Sequence, residues 1–128
     1  MSPPANLMQR YLEALSNQDL DAIRQMSGSR SLVEIPFLKP NRLFGGSEIV
    51  KAHEEIFANL DSVRFVVEHS ADNGVCAIAE GTLEVRRDGR EQRHQAGLVA
   101  ESGDDGIGRV SLYCNARNVR LWSDKTIL

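Results

Sequence analysis

The sequence has few of the features from which disulfide frameworks, membrane spans and nucleic-acid interfaces are built. Two of its 128 residues are cysteines, Cys76 and Cys114, and they lack CxxC spacing, so neither a disulfide scaffold nor a thiolate metal site is predicted. No stretch approaches the roughly 18 consecutive apolar residues of a membrane span, and the first residues lack a signal-peptide pattern. The net charge of −3 argues against a nucleic-acid partner. We therefore expect a reduced, cytoplasmic protein that binds neither membrane nor nucleic acid.

Helical periodicity dominates the first half of the chain. Apolar residues recur at helical spacing over residues 7–15, which predicts a first amphipathic helix. Asn17 or Asp19 is a suitable N-cap for a short second helix, and Gly28 suits a left-handed residue that closes it. A short strand over residues 31–35 alternates in period two, and Ser47 is a suitable N-cap for a third helix.

The second half of the chain has the period of extended strands. Alternation begins at Val63, and three turn sequences, Asn73-Gly74, Asp88-Gly89 and residues 102–106, divide the remainder into long strands. Asn-Gly is typical of a type I′ hairpin turn. Strands of about a dozen residues exceed the usual length and must curl or be covered. The pattern predicts one α+β domain over residues 1–128, with three N-terminal helices packed in a strongly curved antiparallel sheet around a cavity.

Three blocks of sequence resemble the ketosteroid isomerase-like and SnoaL-like members of the NTF2-like superfamily. They are residues 9–15 with 19–23, Val33-Glu34-Ile35-Pro36 followed by Gly46, and Gly106-Ile107-Gly108-Arg109-Val110. The resemblance covers nearly the whole chain. It implies a cone-shaped α+β barrel with an apolar pocket, no cofactor, and a homodimer formed through the outer face of the sheet.

The resemblance also assigns catalytic positions. Ketosteroid isomerases use an aspartate base together with a tyrosine and a protonated aspartic acid that hydrogen-bond the enolate oxygen. In this sequence the tyrosine matches Tyr11, the base falls at Ile35, and the second acid falls near Ala100. An isoleucine cannot accept a proton, so we do not expect the same isomerisation by the same route. Glu34 is adjacent, but strand alternation points it to the opposite face, where a solvated carboxylate is expected unless a bulge before Pro36 turns it toward the cavity.

Two histidines are candidates for a role in the cavity. His94 shares strand parity with Ala96, Leu98 and Ala100, so it is either a cavity-facing general base or an exposed histidine near a polar hairpin. His53 lies on the apolar face of the third helix, as a satisfied core histidine or as part of the cavity wall. Together with Glu80 they lack any recognisable metal-ligand spacing, and no metal site is predicted.

The last predicted strand carries Tyr113-Cys114-Asn115, where relatives often have a carboxylate after the tyrosine. Asn115 can hydrogen-bond but cannot act as an acid or base near neutral pH. The predicted catalytic pair is Tyr11 as hydroxyl donor and His94 as base. The predicted ligand-binding residues are Tyr11, Ile35, Phe37, His53, Ala100, Tyr113 and Asn115.

These residues support two functional hypotheses. The first is a SnoaL-like domain that binds a small apolar molecule, steroid- or polyketide-like, as an isomerase or cyclase that lacks the usual aspartate base. The second is a non-catalytic ligand carrier or dimeric interaction module, which the absence of carboxylates at Ile35 and Asn115 favours.

Overall fold

The structure is a computed structural model that describes residues 2–35, 38, 40–104 and 106–114. The predicted site residues Phe37 and Asn115 lie outside these described residues. The elements, in chain order, are α1 Pro3–Asn17, α2 Leu20–Met26, β1 Leu32–Glu34, β2 Arg42–Phe44, α3 Gly46–Asn59, β3 Ser62–Asp72, β4 Cys76–Arg87, β5 Arg90–Gly103 and β6 Gly106–Cys114. None of the helices within the described ranges has the length and apolar character needed to cross a membrane.

The first two helices begin and end on identifiable capping groups. Ser2 caps α1 by accepting a hydrogen bond from the backbone N–H of Ala5, and α1 ends at Gln18 in a left-handed conformation with φ 50°. Asp19 caps α2 as predicted, because its side chain accepts from the backbone N–H of Ala22 at 3.1 Å.

Two predicted helix boundaries are wrong. The C-cap of α2 is Ser27 in an extended conformation, and Gly28 does not have positive φ. Helix α3 starts at Gly46 with Gly45 as N-cap, so Ser47 already lies in its first turn. Gly45 has φ 91°, a conformation that L side chains rarely adopt, and its N–H donates to the carbonyl of Ser31 at 2.9 Å. This backbone bond fixes the start of the helix without a side-chain cap.

The six strands form one curved, open sheet in the order β2-β1-β6-β5-β4-β3. The predicted α+β cone is confirmed, but the sheet is mixed rather than antiparallel, because β1 pairs with β6 in parallel. The short strand β2 was not predicted. Of its three residues only Leu43 is buried, which is too little alternation to indicate a strand.

One hairpin turn differs from its predicted type. Asp88 and Gly89 both have positive φ, 54° and 77°, and form the two-residue connection between β4 and β5 that is typical of a type I′ turn. At Asn73-Gly74 only Gly74 has positive φ, so the predicted type I′ turn is wrong there. The Asn73 side chain instead accepts hydrogen bonds from the backbone N–H groups of Val75 and Cys76.

The two faces of β4 differ in burial as the alternation of its sequence predicts, whereas on β3 the alternation of burial ends at Phe65 and Val67 is exposed. On β4 the inward residues Ala77, Ala79, Leu83 and Val85 are fully buried against the helices, whereas Ile78 on the outer face is exposed. A bulge between Val67 and His69 interrupts the pairing of β3 with β4 opposite Gly81. A side chain at Gly81 would collide with the backbone carbonyl of Val66, so glycine permits the close approach that bends the sheet.

Candidate functional site

A hydrogen-bonded tyrosine–histidine pair lies buried between α1 and α3. The hydroxyl of Tyr11 is 2.8 Å from Nε2 of His53. Both side chains lie on the apolar stripes of their helices, and their exposed fractions are 3% for Tyr11 and 0% for His53. The sequence placed each residue on such a stripe separately. What it did not show is that the fold joins these two residues, which are 42 positions apart in the sequence.

The second ring nitrogen of His53 fixes which tautomer is present. Nδ1 lies 2.7 Å from the backbone carbonyl oxygen of Ile49, one turn earlier in α3. A carbonyl oxygen can only accept, so Nδ1 carries the proton and donates it. In the neutral ring Nε2 is then the acceptor, and the Tyr11 hydroxyl donates to it.

Burial holds both members of the pair in their neutral forms. Burial lowers the pKa of His53 to about 4, and the hydrogen bond to the Ile49 carbonyl opposes that shift in part. Burial also raises the pKa of the Tyr11 hydroxyl above its ordinary value. Near neutral pH the pair is therefore an uncharged imidazole and an uncharged phenol.

Aromatic contacts hold the imidazole in place. The rings of Tyr11 and His53 meet edge to face, with centroids 5.6 Å apart and an interplanar angle of 88°. Phe57, one turn later in α3, packs against the imidazole ring of His53 with a centroid distance of 6.0 Å. Such T-shaped contacts restrict the rotation of His53, so the direction of its Nε2 lone pair is defined.

His94 lies on β5, on the same side of the strand as Ala96, Leu98 and Ala100, but closer to the hairpin and only half-buried. Partial burial lowers the pKa of His94 from its ordinary value. Its Nε2 lies 3.2 Å from Oε1 of Gln92. The structure thus joins Tyr11 to His53 directly and gives His94 a different polar partner.

The remaining described candidates fall on two sides of the sheet. Ile35 and Ala100 are buried in the interior, with exposed fractions of 1% and 0%. The register places Tyr113, a predicted ligand-binding residue, on the outer face of the sheet, because it pairs with Gly97; its side chain is 51% exposed. Tyr113 lines an outer cleft of about 170 Å³ together with Glu34 and Ser111.

Glu34 has more partners than the solvated carboxylate expected from the sequence. It does point away from the buried Ile35, but Ser111 donates a hydrogen bond to its Oε1 at 2.6 Å. Arg42 and Arg109 each place a guanidinium nitrogen 3.5 Å from the same carboxylate. The contacts of Glu34 with β6 were not predicted, because the parallel pairing of β1 with β6 was not predicted.

Four clefts are lined entirely by described residues, and their linings do not include Tyr11, Ile35, His53 or Ala100. Within the described ranges no three histidine, cysteine, aspartate or glutamate side chains are grouped as a metal site requires.

Comparison with known proteins rests on structure, since no protein-family model and no curated protein matches the sequence. A protein of Shewanella denitrificans, assigned as a SnoaL-like polyketide cyclase, superimposes with a TM-score of 0.80 over 93% of this chain and 95% of its own, at 12% identity. The fold is NTF2-like.

Two further solved structures show how varied the structural neighbours are. An epoxide hydrolase of M. tuberculosis, of the LEH-like type, has a TM-score of 0.75 and 17% identity, and covers 88% of this chain and 83% of its own. A Catenulispora acidiphila protein with a ketosteroid isomerase-like fold, in complex with trimethylamine, has a TM-score of 0.78 and 11% identity, with coverages of 96% and 94%. At these identities the likeness concerns the NTF2-like fold alone.

Proposed function

We propose that the chain binds a small, mostly apolar organic molecule inside the NTF2-like cone, beside Tyr11 and His53. The observation that carries this proposal is the buried hydrogen bond between these two side chains, on helix faces that otherwise bury apolar groups. Small-molecule sites are mostly apolar with a few oriented polar groups, and the pair supplies such a group with fixed geometry.

The structural neighbours support a small organic ligand. One of them is in complex with trimethylamine, and another is an epoxide hydrolase. We propose a steroid- or polyketide-like ligand because the sequence resembles SnoaL-like and ketosteroid isomerase-like proteins. Ile35 and Ala100, both buried and apolar, would present hydrocarbon to such a ring system.

Binding is better supported than acid–base catalysis. Position 35, where the resemblance expects a base, is a fully buried isoleucine, and the proton of the Tyr11 hydroxyl is engaged with His53. If the site performs isomerisation or cyclisation, His94 is its base, and His94→Ala would abolish turnover of an accepted substrate. Unchanged turnover would remove His94 from that role. We expect wild-type protein to show no meaningful isomerisation of a β,γ-unsaturated 3-ketosteroid.

Mass spectrometry tests the proposal directly. Protein purified without organic solvent would be measured under native conditions, then denatured and extracted, and the extract searched for small molecules. We expect an adduct under native conditions, and perturbed NMR signals of the Tyr11 and His53 side chains when the extract is returned to ligand-free protein. Absence of an adduct, together with unperturbed signals, would contradict a ligand site in the cone.

A dimeric interaction module is the second candidate, and the outer face of the sheet favours it. Ile78 on β4 is 53% exposed and Tyr113 on β6 is 51% exposed, with Val99 of β5 opposite Ile78 in the register. Exposed apolar side chains grouped on one face are typical of an interaction surface. Sedimentation equilibrium of the wild type and of Ile78→Lys would test it. We expect a dimer that the lysine weakens, whereas a wild-type monomer would exclude this second candidate.

A further inference from the structure

We infer that the ligand of this site carries an N–H or O–H group that donates a hydrogen bond to the Tyr11 oxygen, rather than a lone carbonyl that accepts one from it. This inference rests on the proposed binding function and names the chemical class of its ligand. The class comprises alcohols, phenols, amines and amides on an otherwise apolar skeleton.

The first step is the direction of the bond between the two side chains. The Ile49 carbonyl accepts from Nδ1 of His53 at 2.7 Å, which leaves Nε2 with a lone pair and no proton. Nε2 can then be satisfied only by a donor, and the hydroxyl 2.8 Å away is that donor.

The second step is the hydrogen-bonding capacity that the Tyr11 hydroxyl retains once it donates to His53. A phenol has one proton and accepts through its oxygen lone pairs. Its proton is used on His53, so the capacity that remains toward a third group is acceptance. A hydroxyl that already donates is polarised and accepts more strongly, since hydrogen bonds in a chain reinforce one another.

The opposite arrangement would require a charged imidazole. With both nitrogens protonated, His53 would donate to Tyr11 and release the hydroxyl proton for a ligand carbonyl. That state places an imidazolium at a position with 0% exposure, in contact with the rings of Tyr11 and Phe57. Burying a charge in such surroundings is costly. The site therefore differs from the resemblance, which assigned Tyr11 the role of donor.

The consequence for recognition is a preference between closely matched ligands. A ketone would place its carbonyl oxygen, an acceptor, next to the Tyr11 oxygen, which is also an acceptor. Both oxygens would lose hydrogen bonds to water without forming one to each other. An alcohol on the same skeleton completes the chain from ligand to Tyr11 to His53 to Ile49.

The test compares 2-tetralol with 2-tetralone, which share one small apolar skeleton and differ only in carrying a hydroxyl or a carbonyl group. Their affinities would be measured by NMR titration at pH 7. We expect the alcohol to bind about fivefold tighter, the equivalent of one net hydrogen bond, and Tyr11→Phe to abolish the preference. His69→Gln, at an exposed histidine away from the pair, is the matched control and should retain it. Equal affinities, or tighter binding of the ketone, would overturn the inference while leaving the binding function intact.

A second measurement does not depend on any ligand or variant. Long-range proton–nitrogen correlation spectra of the wild type at pH 7 report which nitrogen of each histidine ring carries a proton. We expect His53 as the neutral Nδ1–H form. A neutral Nε2–H form, or an imidazolium, would overturn the inference. If neither tetralin compound binds, the proposed binding function itself fails, and the ligand class fails with it.

Discussion

The burial of His53 predicts a specific loss of stability in mild acid. Unfolded histidine has an ordinary pKa of 6.5, whereas the pKa of His53 in the folded chain is lowered to about 4 by burial. Between these values the unfolded chain binds a proton that the native chain does not. Stability therefore falls as pH falls from about 6.5 to about 4, and this contribution is constant again below the native pKa.

The size of the effect follows from the two pKa values. Each unit of difference corresponds to about 1.4 kcal/mol, so the full contribution of His53 is about 3 kcal/mol. At pH 5 roughly 2 kcal/mol of that should already be lost relative to pH 7. This is a large fraction of the 5–15 kcal/mol typical of domain stability, so it is measurable by urea unfolding.

Carboxyl groups also titrate at the acid end of this range. The contribution of His53 is therefore obtained by comparing the pH dependence of the wild type with that of variants. Urea unfolding would be followed at pH 7, 6 and 5 for the wild type, His53→Gln and His69→Gln. We expect the wild type and His69→Gln, whose histidine is exposed, to lose stability in parallel. His53→Gln should be less stable at pH 7 but lose about 2 kcal/mol less between pH 7 and 5. An identical pH dependence in all three proteins would refute the buried, neutral His53.

Two further predictions concern the interior and the sheet. Tyr11→Phe leaves Nε2 of His53 buried without a donor and should cost about 1–3 kcal/mol in urea unfolding, whereas adding His53→Leu should recover part of the loss, because no unpaired nitrogen remains. Gly81→Ala should destabilise the fold strongly by forcing apart β3 and β4 at Val66. Gly97→Ala, where an added methyl group meets only ordinary contacts, should cost much less. Equal losses for the two glycine variants would contradict the close approach at the bulge.

The elements that local periodicity specifies were predictable from the sequence. The three helices follow from apolar spacing, and the inner face of β4 follows from its alternation, because both patterns are properties of neighbouring residues. The cap at Asp19 is likewise a local interaction. In contrast, the N-cap of α3 is Gly45 and not the predicted Ser47, because a backbone hydrogen bond from Gly45 to Ser31 fixes the start of the helix. A bond between such distant residues cannot be predicted from the local sequence pattern.

The candidate site was predictable only as separate residues. Tyr11 was singled out by resemblance and His53 by its place on an apolar stripe, but their hydrogen bond depends on how α1 and α3 pack together. That contact is the basis for the inferred role of Tyr11 as a hydrogen-bond acceptor toward a ligand, where the resemblance predicted a donor. The partners of Glu34 were missed for the same reason, since β1 and β6 meet only in the assembled sheet.

The parallel pairing of β1 with β6 also constrains the order in which the domain can fold. Glu34 and Ser111 are 77 positions apart, and β6, which joins β1 to β5 in the sheet, follows the other described strands in the sequence. While the polypeptide is emerging, β1 and β2 can form only an isolated short hairpin, which is marginal in water. The β3–β5 meander, in contrast, can pair locally as soon as it appears. Because contacts between distant segments slow folding, we expect the meander to form first and the β1–β2 edge to dock last, after β6 has given it a partner.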